Sequence, residues 1–305
     1  MRQKIYTPDK PQMNIAVLIS GSGTNLRELV NKNPEQNYFI VTNVPGCGGM
    51  KITEKTEEKI GRRYPRDELN SKIYLKDMCG IKSMKKLPIP ADERKYYDRA
   101  LCTMIEQVFG RQPDLLCMAG YELWLSEWMI DRYYPRILNI HPGDTTKGYI
   151  GPLWVPSAKA ILAGENDVRS TLFIVDKGKD TGPPPLQSAS VNVNREEWKA
   201  YLYDIRNFEA EHHKSIMDFA SEKEIDNVEA FGIFAEKNGK SHLTEKLKQL
   251  SSSLQEELKV KGDWVIYPFA VHELIAKGRV EIDGRTIYID GKKIPEYGLR
   301  MDEIN

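Results

Sequence analysis

The chain has 305 residues, 40% of them hydrophobic, enough to bury one large core or two modest ones, and its composition is not that of a disordered polymer. Lysine plus arginine equal aspartate plus glutamate at 44 each, so no net field draws the whole chain onto nucleic acid or an anionic membrane, and any anionic partner must be held locally. No apolar run approaches the roughly 20 residues that cross a bilayer, the run after the opening "MRQKIYTPDKPQ" is too short for a signal peptide, and Cys47, Cys79, Cys102 and Cys117 lack CxxC spacing, which points to a reducing cytoplasm.

In chain order, "IAVLI" (15–19) reads as a first strand that runs into "GSGTNL" (21–26) and a helix over 24–31 capped by Thr24. "YFIVTN" (38–43) reads as a second strand, and residues 45–92, rich in Lys, Glu, Gly and Pro, as an insertion. A helix over 92–109 capped by Asp92 precedes the strand "DLLCMA" (114–119), and a helix over 126–132 capped by Ser126 precedes "ILNI" (137–140). A helix over 157–163 capped by Ser157 then leads to "STLFIVD" (170–176). This alternation predicts an α/β fold, a mostly parallel twisted sheet flanked by helices, with a binding edge at the carboxyl ends of the strands. Gly21, Asn139 and the residues after Asp176 are expected there. Residues 195–260 are charged and helical, and Leu243, Leu247, Leu250, Leu254 and Leu258 fall on one helix face that needs a partner in this chain or another.

The turn "GSGTNL" lacks the third glycine of a dinucleotide fingerprint, Leu26 standing in its place, and no acidic residue ends the second strand, which disfavours NAD. Gly23, Thr24 and Asn25 at a helix amino terminus suit a phosphate; a tight turn without a ligand fits as well. In "ILNIHPGD" (137–144), Asn139 and His141 project from one face of a strand, either as two donors for negative charge on a carbonyl oxygen or as a buried pair that satisfies loop backbone. Asp180, between the glycines of "VDKGKDTGPPPLQ" (175–187), supplies a carboxylate that can hold an imidazolium or relay a proton. Asn, His and Asp make an acyl-transfer set without a side-chain nucleophile. Asp144 reads as a cap of its own loop, Glu209 and His213 as a solvated charged pair and not a metal site, and Trp124, Trp128 and Trp154 as core, with no metal expected anywhere.

These strings together resemble the glycinamide ribonucleotide formyltransferase family. The matches are "MNIAVLISGSGTNL" (13–26), "DLLCMAGYELWLS" (114–126), "RILNIHP" (136–142), "DTGPPPLQ" (180–187) and "IYPFAVHELIAKGRVEIDGRTIYIDGKKIPEYG" (266–298), about half of the chain in family order. The resemblance implies a Rossmann-like formyltransferase fold with a helical insertion: a catalytic core over 13–194 with an insertion at about 45–92, helices over 195–260, and a C-terminal helix and hairpin over 261–301 that complete the core. It implies transfer of a formyl group from 10-formyltetrahydrofolate to a small phosphorylated amine in purine synthesis, with Asn139, His141 and Asp180 catalytic. By the same resemblance Gly23, Thr24 and Asn25 bind the acceptor's phosphate, Asp263 contacts the acceptor, and Tyr121, Leu123, Leu125, Val175 and Asp176 line the folate. Nucleic acid and membrane are not expected partners, and a homodimer is possible.

The chain departs from the family after His141, where "GDTT" (143–146) and "KGYIGPLW" (147–154) replace the usual loop, and at Glu122 and Leu123, where Met and Arg are common. Hydrolysis of 10-formyltetrahydrofolate, another amine acceptor, or a silent binding protein with 195–260 as an interaction arm are the alternatives.

Overall fold

The computed structural model describes residues 1–79 and 92–304. Eight strands form the main sheet: β1 (Asn14–Ile19), β2 (Asn37–Thr42), β3 (Arg66–Glu68), β4 (Leu115–Met118), β5 (Ile137–His141), β6 (Thr171–Ile174), β7 (Leu186–Gln187) and β8 (Leu299–Arg300), in the order β8-β7-β6-β5-β4-β1-β2-β3. Ten helices accompany them among the described residues: α1 (Thr24–Lys32), α2 (Gly48–Ile60), α3 (Ser71–Cys79), α4 (Asp92–Phe109), α5 (Glu127–Tyr133), α6 (Val155–Leu162), α7 (Lys199–Lys223), α8 (Asn227–Lys237), α9 (Ser241–Leu258) and α10 (Trp264–Phe269). Every residue of β1 is buried, as a central strand covered by helices on both faces requires.

Strands β3, β2, β1, β4 and β5 are all parallel. β6 is not. The Val175 N–H donates to the Ile137 carbonyl at 2.9 Å, and the Thr171 hydroxyl donates to the Gly143 carbonyl at 2.8 Å, so the end of β6 lies beside the start of β5 and the two run antiparallel. This corrects the expectation that the residues after Asp176 emerge at the carboxyl edge. They leave the sheet at the opposite end and must climb back.

The chain divides into two units, the first made of residues 1–140, 172–186 and 264–299. In it the order of the strands reverses between β1 and β4, which opens a crevice at their carboxyl ends. A hairpin of Val280–Asp283 and Thr286–Ile289, joined by Gln3–Lys4, forms a separate small sheet. The second unit holds residues 141–171 and 187–263 with the C-terminal residues from Arg300. There all five leucines of the predicted stripe are buried in one cluster with Ala158 and Ile161 of α6, Phe208 of α7 and Phe231 of α8, so the partner of that face is this chain.

Helix starts differ from expectation at three places, one of them Asp92, which is the first helical residue of α4 and not its cap. The cap of α1 is Gly23, in a left-handed conformation and without a side-chain bond, so Thr24 is the first helical residue. The cap of α6 is Trp154 and the helix begins two residues before Ser157, with Pro156 in its first turn, where proline's missing N–H is not needed. Ser126 caps α5 as predicted, accepting from the Met129 N–H at 3.3 Å. Of the stretch 45–92, α2 packs on α1 and β3 extends the sheet; residues 80–91 lie outside the described residues. Among the described residues no helix is long and apolar enough to cross a membrane, and Cys47, Cys102 and Cys117 are free and buried.

Candidate active site

β1 delivers the glycine turn to the crevice. Gly23 has φ 72°, and a Cβ there would stand 2.4 Å from the Cα of Gly49, so a side chain is excluded by conformation and by space. The Gly49 N–H donates to the Gly21 carbonyl at 2.8 Å, which brings the start of α2 against the start of α1. Thr24 and Asn25 are half-buried in the first turn of α1, where backbone N–H groups have no carbonyl four residues back within the helix. The Asn25 Oδ1 is buried without a hydrogen-bond partner.

Across the crevice, β4 leads into the stretch from Gly120 to Ser126. Ser20 joins the two sides: its N–H donates to the Gly120 carbonyl at 3.0 Å, its hydroxyl accepts from the Glu122 N–H at 2.8 Å and donates to Asn43 Oδ1 at 2.5 Å. From below, the buried Arg94 donates to the Trp124 carbonyl at 3.1 Å and Asp98 accepts from the Ser126 N–H at 2.6 Å. Tyr121, Leu123 and Leu125 turn their side chains into the core of this unit, and Val175 packs against the same cluster. Those residues therefore offer backbone to the crevice and not side chains.

Asn139 lies beside Met118 in the register of β4 and β5. Asn139 and His141 are half-buried while Ile140 between them is buried, as alternation along a strand demands. The Ile140 N–H donates to Asn139 Oδ1 at 2.9 Å, which fixes the amide and leaves its Nδ2 as the donor. Tyr267 of α10 bridges the two strands, its hydroxyl lying 3.2 Å from the carbonyls of Met118, at the end of β4, and Leu138 of β5. Beyond His141 the altered loop is tight. A Cβ on Gly143 would stand 2.4 Å from the Tyr149 carbonyl oxygen, which explains the glycine, and Asp144 caps the following turn through the Thr146 N–H at 3.0 Å, its predicted role.

Residues 13–218 match the family model described as formyl transferase. The chain belongs to that family. Among its relatives, the phosphoribosylglycinamide formyltransferase of Escherichia coli K12 is 24% identical over 291 residues, 95% of this chain and all of that protein. The trifunctional purine biosynthetic protein adenosine-3 of Chironomus tentans is 26% identical over 180 residues, 56% of this chain and 11% of that protein, so the chain spans about a tenth of these longer relatives. Solved phosphoribosylglycinamide formyltransferases of Coxiella burnetii (TM-score 0.59, 18% identity, 95% of this chain and 99% of that one) and Symbiobacterium toebii (TM-score 0.56, 23% identity, 91% and 94%) share its fold.

The family's Asp-x-Gly-Pro string is built here on the loop after β6. Lys177 pairs with Asp131 at 2.8 Å and Glu127 at 3.7 Å, one turn apart on α5, and Lys179 sits over the Trp124 ring at 5.5 Å, so the loop runs beside α5 to the stretch from Gly120 to Ser126. Asp180 follows, half-buried, with φ 50°. Burial raises its carboxyl above the ordinary range, and Lys179 opposes that rise. A Cβ on Gly182 would fall 1.7 Å from the Ile174 carbonyl oxygen, which is why glycine follows two residues after the aspartate. The Asp176 carboxylate is taken up within the loop, accepting from the Gly178 N–H at 3.0 Å and the Thr181 hydroxyl at 2.8 Å. Asp263 is buried in the π-helical turn that continues α9. Glu209 and His213 pair with each other on α7, and among the described residues no cluster of metal-ligating side chains assembles.

Sequence reasoning missed Ser20, Arg94, Asp98, Tyr267 and Arg285. Each acts on backbone of a segment remote in sequence, so no local motif marks it.

Proposed function

We propose that the protein transfers the formyl group of 10-formyltetrahydrofolate to the amine of a small phosphorylated acceptor, glycinamide ribonucleotide being the acceptor that the names of its relatives suggest. The observation that carries the reading is the fixed amide of Asn139 in β5, whose Nδ2 is left as a donor beside Met118 at the end of β4, in a chain of the formyl transferase family. In this reading the acceptor's phosphate takes the first turn of α1, where Thr24 and Asn25 offer backbone N–H groups. The backbone of Tyr121, Leu123 and Leu125, held from both sides by Ser20, Arg94 and Asp98, takes the folate, with Val175 and Asp176 at its border.

Asn139 and His141 donate to the formyl oxygen as it gains negative charge, Asp180 accepts the proton that the attacking amine loses, and the adduct collapses with rupture of its bond to the folate N10, which takes up that proton. A carboxyl raised by burial is a stronger base than an exposed one, which suits Asp180 to that step. Asp263 contacts the acceptor. The free buried thiols accord with a cytoplasmic enzyme.

The test is to incubate the purified protein with 10-formyltetrahydrofolate, with and without glycinamide ribonucleotide, and follow loss of the formyl group. Loss that requires the amine supports transfer. Loss without it would make the protein a hydrolase, and no loss in either case would leave a binding protein.

A further inference from the structure

We infer that Arg285, at the tip of the C-terminal hairpin, is a positioning residue that sets the Asp180 loop; its catalytic consequence rests on the role proposed for Asp180. The guanidinium forks across the loop. One nitrogen pairs with the Asp176 carboxylate and the other donates to the Thr181 carbonyl, the residue next to Asp180, so the loop is bracketed four residues before and one residue after the carboxylate. Asp176 in turn gathers the Gly178 N–H and the Thr181 hydroxyl, so four groups converge between the two ends of the loop.

Asp180 needs such a bracket. Its φ of 50° is left-handed, a conformation that strains a non-glycine residue and persists only where the surroundings impose it. No hydrogen bond to the Asp180 carboxylate is present among the described residues, so its own side chain does not hold the turn. The hairpin tip is itself anchored, because the Tyr134 hydroxyl donates to the Gly284 carbonyl at 3.1 Å. Arg285 is 62% exposed, and an ion pair so exposed adds little to global stability. Its effect is therefore local. Lysine cannot replace it, since a single ammonium does not bridge a carboxylate and a carbonyl in one plane.

The experiment compares full-length wild type, Arg285→Ala, Arg285→Lys, Asp180→Asn and the double Arg285→Ala/Asp180→Asn by formyl-transfer kinetics, thermal unfolding, and amide hydrogen exchange over residues 177–182. Arg285→Ala is expected to exchange faster in that segment and to lose kcat about 10- to 100-fold, the penalty of misplacing a reacting group by about an ångström, with KM for the folate and Tm nearly unchanged. Arg285→Lys should not restore kcat, and the double variant should be no slower than Asp180→Asn alone. Unchanged exchange in Arg285→Ala would overturn the assignment, as would full activity in that variant or losses in the double that multiply. A fully active Asp180→Asn would instead remove the role of Asp180, and with it the kinetic consequence of Arg285, while the exchange result still reports whether the hairpin holds the loop.

Discussion

The turn after β1 and the loop after β6 are held in opposite ways. The first is built almost wholly from neighbours in sequence: a buried strand, a glycine that only glycine conformation and space allow, and a helix whose first N–H groups are open by geometry. The second begins at the far edge of the sheet and depends on Asp131 and Glu127 of α5, Trp124 after β4, and Arg285 more than a hundred residues later. The comparison teaches that a glycine turn can be set by its neighbours in sequence, whereas the loop that carries Asp180 is placed by groups gathered from several segments.

The largest effect should come from the second region. Asp180→Asn keeps size and removes the base, and a lost acid–base group typically lowers the rate about 10²- to 10⁴-fold. Single-turnover transfer should show that loss while folate binding, proposed for the backbone of 121–125, changes little. Near-normal transfer would reduce Asp180 to a turn residue and erase the contrast.

A buried titratable group lies behind each region, and the two oppose each other. His272, under α1 with its Nε2 3.0 Å from the Leu29 carbonyl, is pushed down by burial from 6.5 to about 4, and its Nδ1 has no partner for a second proton. The unfolded chain therefore binds the proton more readily, and this group's contribution is lost as pH falls from about 6.5 through 4, to the extent of about 3 kcal/mol. Asp98, under the stretch on which Lys179 leans, is pushed up by burial from 3.8 to about 6, with the Ser126 N–H and Arg94 opposing that rise. Here the folded protein binds the proton more tightly, so stability is present below about 3.8 and about 3 kcal/mol is lost as pH rises through 6. Wild-type stability is expected to change little between pH 4 and 6.5 from these two groups, Asp98→Asn to lose stability on acidification, and His272→Gln to gain it. Urea unfolding across that range checks both slopes, and parallel curves for all three proteins would show that neither group titrates as stated.

Smaller still is the expected effect of Gly23→Ala in the first region, about 2 kcal/mol from the left-handed backbone and the overlap with Gly49. Inorganic phosphate should protect wild type against thermal unfolding more than this variant, and equal protection would place any phosphate elsewhere. At the bottom of the scale, Arg285→Ala should shift global stability by less than about 1 kcal/mol, as its exposure dictates.

The sequence alone determined what depends on neighbours. The order of the five strands 15–19, 38–43, 114–119, 137–140 and 170–176, the glycine turn, the Ser126 cap, the leucine face of α9 and the alternation that sets Asn139 and His141 on one side of β5 all follow from periodicity and backbone sterics over a few residues. Only the tertiary structure decided the rest. That β6 runs antiparallel, that the leucine face meets α6 and α8, that Tyr267 bridges two strands, and that Arg285 brackets the loop of Asp180 all depend on contacts between residues far apart in the chain. A hydrogen bond from a remote side chain to a backbone carbonyl leaves no pattern around either partner, because any residue supplies the carbonyl and folding alone brings the donor to it.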